Sequence, residues 1–383
     1  MIPYSRQEID RKDISMVNKV LKSSVIARGK IIEKFETIFK TKVSSDFAIS
    51  TNSATSALHL SCLALGINNK SRVWVPANSF AATANCALYC GAKIDFLDIN
   101  LNDYNIDFNN LEKKLEYSKK KNKSPNLIIG VHLAGCPYDQ EKLFRLSKKY
   151  KFKIIEDASH ALGATNNGYK IGSCKWSDIT VFSFHPVKII TTGEGGMITT
   201  NNKKYFEKIK ILRNHGITKE YKYFKKKIKQ KWYYEQQDLG FNYWITDIQA
   251  ALGISQLSKL NKFVEKRNKI AFFYRKRLNN NNVLFQEIKN NIYSSYHLFI
   301  IRLNLKKIKR TYEQIFNKLR KKNYFVNLHY FPIYFHPYYS KLGFKKGYCK
   351  NAEIYAKSCM SIPIYTQLKK VDQKKIIRLI NQL

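Results

Sequence analysis

The seven cysteines of this sequence do not form the close pairs that mark a metal site or a disulfide framework. They are odd in number, scattered along 383 residues, and none lies in a CxxC pair. This usage favours reduced thiols in a cytosolic protein. The spacing of Cys86 and Cys90 can place two thiols on one helical face, but without a second cluster it does not predict a bound metal.

Long hydrophobic runs are also missing. No stretch approaches the roughly 18 apolar residues of a membrane-spanning helix. The N-terminal stretch "MIPYSRQEIDRKDIS" lacks the apolar segment of a signal peptide. We therefore expect a soluble, cytoplasmic protein without a membrane partner.

Acidic residues are scarce: 28 Asp and Glu stand against 68 Lys and Arg, which gives a net charge of +40. Such an excess is typical of nucleic-acid-binding proteins. However, only 13 of the basic residues are arginine, which base readout and phosphate clamps prefer, and runs such as "KKKNK" (119–123) are dispersed. Lys, Asn and Ile are abundant together, which resembles compositional drift over the whole surface, and we predict no nucleic-acid partner. Nucleic-acid binding, the alternative, would require salt-dependent DNA affinity.

Short apolar runs alternate with helix-compatible stretches such as 53–66 and 140–150. Strands are predicted near 47–50, 72–76, 93–99, 127–133, 153–157, 179–184 and 196–200. This alternation predicts an α/β fold with a mostly parallel seven-stranded sheet covered by helices. Only 11 residues separate the last two strands, so we expect them to pair antiparallel, with Lys188 in their connection.

The pattern changes near residue 247, where apolar residues at spacings of three to five predict one long amphipathic helix. Strands near 297–303 and 324–329 follow. We predict a large domain over 1–250 and, over 251–383, a linking helix with a smaller C-terminal α/β domain.

Two local features can bind parts of a cofactor. In "STNSATSAL" (50–58), a strand runs into a helix start whose backbone N–H groups, around Ala54 and Thr55, can hold a phosphate. Ordinary helix capping is the alternative. Asp157 closes an apolar strand, where a carboxylate faces the ligand crevice of an open α/β sheet and can ion-pair with a protonated heterocyclic nitrogen. It can also serve simply as a helix cap.

Two further features lie later in the chain. In "SFHPVKIITTGEGGM" (183–197), Lys188 has apolar neighbours and no other charge before Glu194. Partial burial of this kind lowers the pKa of an amine and favours its covalent attachment to a carbonyl carbon. A surface hairpin with a solvated lysine is the alternative. Asn242 precedes the long helix, where capping alone would explain it.

The order of these features is more specific than any one of them. A phosphate-type helix start, a strand-end aspartate and a lysine about 30 residues later are what a pyridoxal 5'-phosphate (PLP) enzyme needs. The stretches "TNSATSALHL", "EDASHALG", "SFHPVKIITTGEGGM" and "GFNYWITDIQAALGISQL" closely resemble the DegT/StrS-type sugar-nucleotide aminotransferases. The resemblance covers essentially the whole chain and implies a fold-type-I PLP-dependent transferase.

The resemblance also implies roles for the cofactor-binding residues. Lys188 would attach the cofactor covalently and move the catalytic proton, and Asp157 would pair with the pyridine nitrogen. The other implied contacts are phosphate binding by Ala54, Thr55 and Ser183, ring contacts by Phe80 and His160, and contact by Asn242 with the cofactor phosphate of a neighbouring subunit. A homodimer with shared active sites follows.

The implied substrates are a UDP-sugar and L-glutamate. Stretches such as "VHLAGCPYD" and "NLHYFPIYFHPYYSKLGF" are most similar to family members of pseudaminic acid biosynthesis, which aminate C4 of a UDP-4-keto-6-deoxy-N-acetyl-L-hexosamine. The residues expected to contact the sugar nucleotide are Tyr4, Ser24, Val25, Ile26, Ala27, His329, Tyr330, Phe331 and Pro332. Another nucleotide-linked 4-keto or 3-keto sugar is the alternative substrate, and a basic binding protein on the same scaffold is the alternative class.

Two positions depart from the family pattern. Arg28 stands where members usually carry Gln, and Trp244 stands where they usually carry Arg. The second change removes a cation near the site, for which Arg28 can compensate. Lys188 itself is intact, which argues against the relatives that replace it with His and catalyse a dehydration.

Overall fold

The computed structural model describes residues 1–226, 228 and 230–383. Within them the strands are β1 Ile2–Pro3, β2 Phe47–Thr51, β3 Arg72–Pro76, β4 Lys93–Leu97, β5 Leu127–Val131, β6 Lys153–Asp157, β7 Thr165–Asn166, β8 Tyr169–Lys170, β9 Ile179–Ser183, β10 Gly196–Thr200, β11 Ile217–Thr218, β12 Glu235–Gln236, β13 Val283–Phe285, β14 Ile292–Tyr293, β15 Phe299–Leu303, β16 Tyr324–Phe325 and β17 Cys359–Ile362.

The α-helices of the same residues are α1 Arg11–Leu21, α2 Lys30–Val43, α3 Ala54–Ala64, α4 Ala82–Tyr89, α5 Phe108–Lys120, α6 Gln140–Tyr150, α7 Lys203–Arg213, α8 Asp247–Ser258, α9 Leu260–Arg277, α10 Tyr312–Lys321, α11 Pro337–Ser340, α12 Lys350–Ser358 and α13 Lys370–Asn381. Short 3₁₀ turns lie at Leu133–Gly135, Tyr221–Tyr223 and Ile333–Phe335. Among the described residues, no helix combines the length and apolarity needed to cross a membrane.

The central sheet has seven strands in the order β2-β10-β9-β6-β5-β3-β4. Strands β9, β6, β5, β3 and β4 are parallel, whereas β10 is antiparallel to both of its neighbours. The mostly parallel seven-stranded sheet is therefore confirmed, as is the antiparallel pairing of its last two strands. Strand β5 is a continuous apolar run because helices cover both faces of the sheet.

The two faces of the sheet bury different cores. Ile155 packs with α3 and α4, and Ile154, its neighbour in β6, packs with apolar residues of α5 and α6. This alternation follows from the two-residue period of a strand. Consecutive residues at the end of a strand therefore face opposite sides of the sheet.

The prediction of one long helix from residue 247 is wrong. The helix breaks at Lys259, whose N–H bonds back to the Gln256 carbonyl at 3.0 Å, so α8 and α9 are separate. The break lets α8 lie against α1 and α2 while the end of α9, around Ile270 and Tyr274, enters a third core beneath β13, β15 and β17.

The second C-terminal strand is shorter than predicted. Only Tyr324–Phe325 is extended and paired, in parallel with Ile2–Pro3, while Asn327 makes an isolated bridge to Ser361. The strand predicted near 297–303 is present as β15. The division into domains at residue 250 stays a prediction.

Candidate active site

A cavity of about 710 Å³ opens at the carboxyl ends of β5, β6 and β9. Its walls come from those strand ends, from the first turns of α3 and α4, and from the segment 327–331. Neighbouring parallel strands end at one edge of a sheet, which brings side chains distant in sequence to one place. This crevice is where the sequence predicted a ligand site.

Lys188 lies in the β9–β10 connection and lines this cavity. Phe184 N–H bonds to the Gly195 carbonyl at 2.9 Å, and the Lys188 N–H bonds to the His185 carbonyl at 2.9 Å, so the loop is held at both ends. Burial lowers the pKa of Lys188 to about 8, since it disfavours the ammonium form more than Asp157 and Glu194 favour it.

Asp157 presents its carboxylate to the same cavity from the end of β6. Its Oδ2 accepts a hydrogen bond from Thr83 Oγ1 at 2.8 Å, and its Oδ1 accepts one from Ser159 N–H at 3.1 Å. Because the Thr83 hydroxyl donates to Asp157, it accepts from the Ser79 hydroxyl at 2.7 Å. Thr83 and Ser79 were not predicted, since no local motif marks them and the fold alone brings them to Asp157.

The first turn of α3 forms another wall. Ser53 caps the helix by accepting the Ser56 N–H at 3.1 Å, which leaves the Ala54 and Thr55 N–H groups without an intrahelical acceptor. A side chain at Gly196 would place its Cβ 2.6 Å from the Ser53 carbonyl oxygen. Only glycine lets β10 pass so close to the N-terminus of α3, whose free N–H groups can bind an anion.

His160 and Tyr330 form an aromatic wall. Ala134 N–H donates to His160 Nδ1 at 3.3 Å, so Nε2 carries the hydrogen and donates to the Tyr330 hydroxyl at 3.1 Å. Burial, with Lys188 and His329 nearby, lowers the pKa of His160, which is therefore neutral. The Phe80 ring is 60% exposed, with its centroid 6.0 Å from that of Tyr330.

Most of the predicted site residues meet in this cavity. They are Tyr4, Ala54, Thr55, Phe80, Asp157, His160, Ser183, Lys188, His329, Tyr330 and Phe331. Burial and Lys188 lower the pKa of His329 to about 3, and its Nδ1 lies 2.9 Å from the Ser361 hydroxyl.

The other predicted residues lie outside the cavity lining of this chain: Ser24, Val25, Ile26, Ala27, Asn242 and Pro332. Ala27 bridges to Thr246, and the Ile26 carbonyl accepts the Asp247 N–H at 3.0 Å, so the segment 24–27 is attached to the start of α8. Their roles stay predictions.

The two departures from the family pattern lie side by side. The Arg28 guanidinium is 5.8 Å from the Trp244 ring centroid, and its Nη2 donates to Asn242 Oδ1 at 3.4 Å. Arg213 stacks on the same ring at 3.7 Å. A cation therefore stands next to Asn242 although position 244 is tryptophan.

Comparisons with known proteins agree with this geometry. The chain is 41% identical over 377 residues (98% of this chain and 95% of the relative) to a UDP-4-amino-4,6-dideoxy-N-acetyl-β-L-altrosamine transaminase of Campylobacter jejuni. Helicobacter pylori PseC, an aminotransferase of pseudaminic acid biosynthesis, superposes with a TM-score of 0.89 at 30% identity, covering 100% of this chain and 98% of its own.

A putative sugar aminotransferase of Streptococcus pneumoniae, solved in its PLP form, superposes with a TM-score of 0.87 at 27% identity, covering 100% of this chain and 98% of that protein. These likenesses confirm the fold predicted from the resemblance. Residues 7–381 match the sequence profile of one family, and the chain belongs to it: the DegT/DnrJ/EryC1/StrS aminotransferase family.

Proposed function

We propose that this protein is a PLP-dependent aminotransferase that moves the amino group of L-glutamate to C4 of a UDP-4-keto-6-deoxy-N-acetyl-L-hexosamine. The products are 2-oxoglutarate and UDP-4-amino-4,6-dideoxy-N-acetyl-β-L-altrosamine. The observation that carries the reaction class is a buried lysine of lowered pKa sharing one cavity with a strand-end aspartate. The sugar is supported by the relative from Campylobacter jejuni and by the likeness to PseC.

The chemistry of the cavity fits PLP. The free N–H groups at Ala54 and Thr55, with the Ser183 hydroxyl, would hold a phosphate. Asp157 would keep a pyridine nitrogen protonated, and Lys188 would bond to the aldehyde carbon. When bound, PLP supplies an electron sink for the carbon that loses its proton and carries the amino group between the two substrates.

The protein's own contribution is proton transfer and exclusion of water. With a pKa of about 8, Lys188 is neutral in about a tenth of molecules at pH 7 and in about half at pH 8. The neutral amine removes a proton from the nitrogen-bearing carbon of glutamate, and the same nitrogen later delivers a proton at sugar C4. Neutral His160 and Tyr330 line the cavity without adding charge beside the lysine.

We propose two further properties with this function. The chain forms a homodimer with shared active sites. This is supported by Asn242, which lies outside the cavity of its own chain and accepts a hydrogen bond from Arg28, so that both are left to contact the cofactor of a neighbouring subunit. The location is cytoplasmic, a proposal supported by seven free cysteines.

The first test is an absorbance spectrum of the purified protein with PLP, before and after addition of L-glutamate. We expect a visible band from lysine-bound PLP that glutamate converts to the pyridoxamine form. A band unmoved by glutamate would contradict the donor, and no band at all would contradict the reaction class. Nuclear magnetic resonance of the product from UDP- and dTDP-ketosugars then identifies the aminated carbon.

Lys188→Ala gives the direct test of the proton carrier. We expect turnover to fall below detection while the melting temperature of the protein remains close to that of the wild type. Lys119→Ala is the matched control, because Lys119 is exposed in the last turn of α5, which leads to the start of β5, whereas the cavity opens at the end of that strand. Appreciable turnover by the Lys188 variant would overturn the mechanism.

A further inference from the structure

The N-terminal segment that begins with β1 reaches the loop that carries Lys188. Strand β1 pairs in parallel with β16, and the Tyr4 carbonyl accepts the Ile364 N–H at 2.9 Å. Ser5 comes next and is buried, and its Oγ donates a hydrogen bond to the Val187 carbonyl at 2.8 Å. The segment therefore joins strands near the end of the chain to the residue directly before Lys188.

Both polar groups of one peptide unit are held in this way. The peptide between Val187 and Lys188 has its carbonyl bonded to the Ser5 hydroxyl, and its N–H donates to the His185 carbonyl at 2.9 Å. A peptide unit is planar, so two hydrogen bonds on its opposite edges fix the orientation of the plane. The fixed plane restricts the backbone rotation at Lys188 and with it the direction in which the side chain starts.

Arg267 of α9 determines how the Ser5 hydroxyl points. Its guanidinium is 2% exposed, and Nη2 donates to Ser5 Oγ at 3.3 Å. Because arginine cannot accept a hydrogen bond, the Ser5 oxygen receives this one, and its single hydrogen is left for the Val187 carbonyl. Donation from a charged group also polarises the hydroxyl and strengthens the bond that it makes in turn.

The other amino group of Arg267 fixes the guanidinium itself. Its Nη1 lies within hydrogen-bond distance of three carbonyl oxygens, at 3.3, 3.1 and 2.9 Å, which belong to Tyr296, His297 and Ile364. A planar guanidinium that is held by backbone groups at one nitrogen has little freedom at the other. Of these four partners, only Ser5 extends the network to the β9–β10 connection.

We propose that Ser5 and Arg267 are positioning residues for the amine of Lys188. Arg267 orients the Ser5 hydroxyl, and Ser5 holds the peptide from which the lysine side chain extends. Neither residue lines the cavity, so both act through the backbone and not on substrate. The inference rests on the proposed function, because a proton is transferred efficiently only when the amine lies within hydrogen-bond reach of the carbon that loses it.

Ser5→Ala tests this in the holoenzyme. Stopped-flow absorbance follows the conversion of the PLP band by glutamate in a single half-reaction. We expect the rate constant at saturating glutamate to fall about five- to tenfold, while the glutamate concentration that gives half of this rate changes by less than about twofold. A merely structural role of Ser5 would lower the amplitude, which counts folded molecules, and would leave the rate constant unchanged.

Thr200→Val is the matched control. The Thr200 hydroxyl is also buried and also donates to a distant carbonyl, that of Asp178, at 2.8 Å. It lies at the end of β10, whereas the Lys188 loop leads into the start of that strand. We expect this variant to lose about as much stability in urea as Ser5→Ala but to keep the wild-type rate constant. Equal rate constants in the two variants would overturn the role of Ser5.

Hydrogen exchange tests the held peptide without the cofactor. In the full-length chain freed of PLP, mass spectrometry measures the exchange of the Lys188 amide. We expect Ser5→Ala to accelerate this exchange about tenfold and Thr200→Val to leave it unchanged. Unchanged exchange in Ser5→Ala would refute the inference alone, whereas a wild-type holoenzyme that glutamate does not convert would contradict the proposed function instead.

A double-mutant cycle tests whether Arg267 acts through Ser5. Arg267→Lys keeps the charge but removes the planar group that contacts Ser5 and the three carbonyls. It should slow the conversion by glutamate about threefold in the wild-type background and should add nothing in Ser5→Ala. Additive losses would overturn the link from Arg267 to Ser5. The rate and exchange results for Ser5→Ala decide the role of Ser5 whether or not Arg267→Lys folds.

Discussion

Glu156 and Asp157 are adjacent acidic residues at the end of one strand, yet they lie in opposite environments. Glu156 faces α6, where Gln140 Nε2 donates to its Oε1 at 2.6 Å and Thr180 Oγ1 to its Oε2 at 3.0 Å. Buried His132 lies 3.5 Å away. Asp157 faces the opposite side and the cavity, with two donors and open space beside them.

The difference shows that burial alone does not mark a functional carboxylate. Both side chains are nearly inaccessible, at 1% and 6% exposure. Glu156 is enclosed by protein donors, so its charge serves the stability of the sheet. Asp157 retains acceptor capacity toward the cavity, where a ligand can supply a further donor. A carboxylate with unused acceptor capacity at a cavity wall is the more informative signal.

Asp157→Asn should have the largest effect on turnover, because it replaces the carboxylate that faces the cavity. The amide cannot stabilise a protonated pyridine nitrogen, so we expect turnover at saturating PLP to fall about 100-fold or more, which corresponds to roughly 2.7 kcal/mol of transition-state stabilisation. The free energy of unfolding of the cofactor-free protein should change by less than about 1 kcal/mol. Turnover within threefold of the wild type would refute the role of Asp157.

Glu156→Gln should show the reverse behaviour. The new amide NH₂ takes the place of one acceptor oxygen, so Gln140 Nε2 or Thr180 Oγ1 can no longer donate to that oxygen, and the other bond no longer has a charged acceptor. We expect the free energy of unfolding to fall by about 2–3 kcal/mol in urea titration, with turnover per folded molecule within about threefold of the wild type. A stable variant that had lost its turnover would reverse the assignment of the two residues.

Thr83→Val tests how much the hydrogen bond from Thr83 to Asp157 contributes to turnover. It removes the hydroxyl that donates to Asp157 Oδ2 and leaves a side chain of nearly the same size. The loss of one hydrogen bond, about 1 kcal/mol, predicts about a fivefold fall in turnover. Thr83→Ser keeps the donor and should retain nearly full turnover; equal losses in both variants would mean that packing, not the hydrogen bond, is responsible.

The sequence predicted Asp157 and Lys188 because each carries a local signal. An apolar run ending in a carboxylate marks a strand end, and a lysine among apolar residues between two closely spaced strands marks a buried connection. The seven strands were predictable for the same reason, since buried parallel strands are short apolar runs. The break at Lys259 was not, because the same apolar spacing continues across it, and Leu257 before it and Leu260 and Phe263 after it belong to one core.

Thr83 could not have been predicted from the sequence alone. It lies 74 residues from Asp157, in a helix whose other residues are mostly small and apolar. Its role comes from the packing of α4 against the sheet, which no local pattern encodes. The same applies to Arg28 and Asn242, which meet across 214 residues.

The smallest expected effect is on the pKa of Lys188, which Asp157 should influence and Glu156 should not. Burial lowers the pKa of Lys188 to about 8, while the charge of Asp157 raises it. The neutral amine, which reacts with the PLP aldehyde, predominates above this pKa, so PLP uptake by the cofactor-free enzyme should accelerate with pH and level off above about 8. Asp157→Asn removes the charge that favours the ammonium form, and its midpoint should move to lower pH by less than about one unit.

Glu156→Gln is the matched control, because Glu156 points away from the cavity and does not act on the amine. Stopped-flow absorbance gives the midpoint for each protein. The titrations of free PLP are common to all three, so the difference between midpoints reports Lys188. Equal shifts in both variants would mean that Lys188 senses the net charge of the strand end and not the face on which a carboxylate lies. A shift confined to Asp157→Asn would tie the reactivity of the lysine to the one carboxylate that shares its cavity.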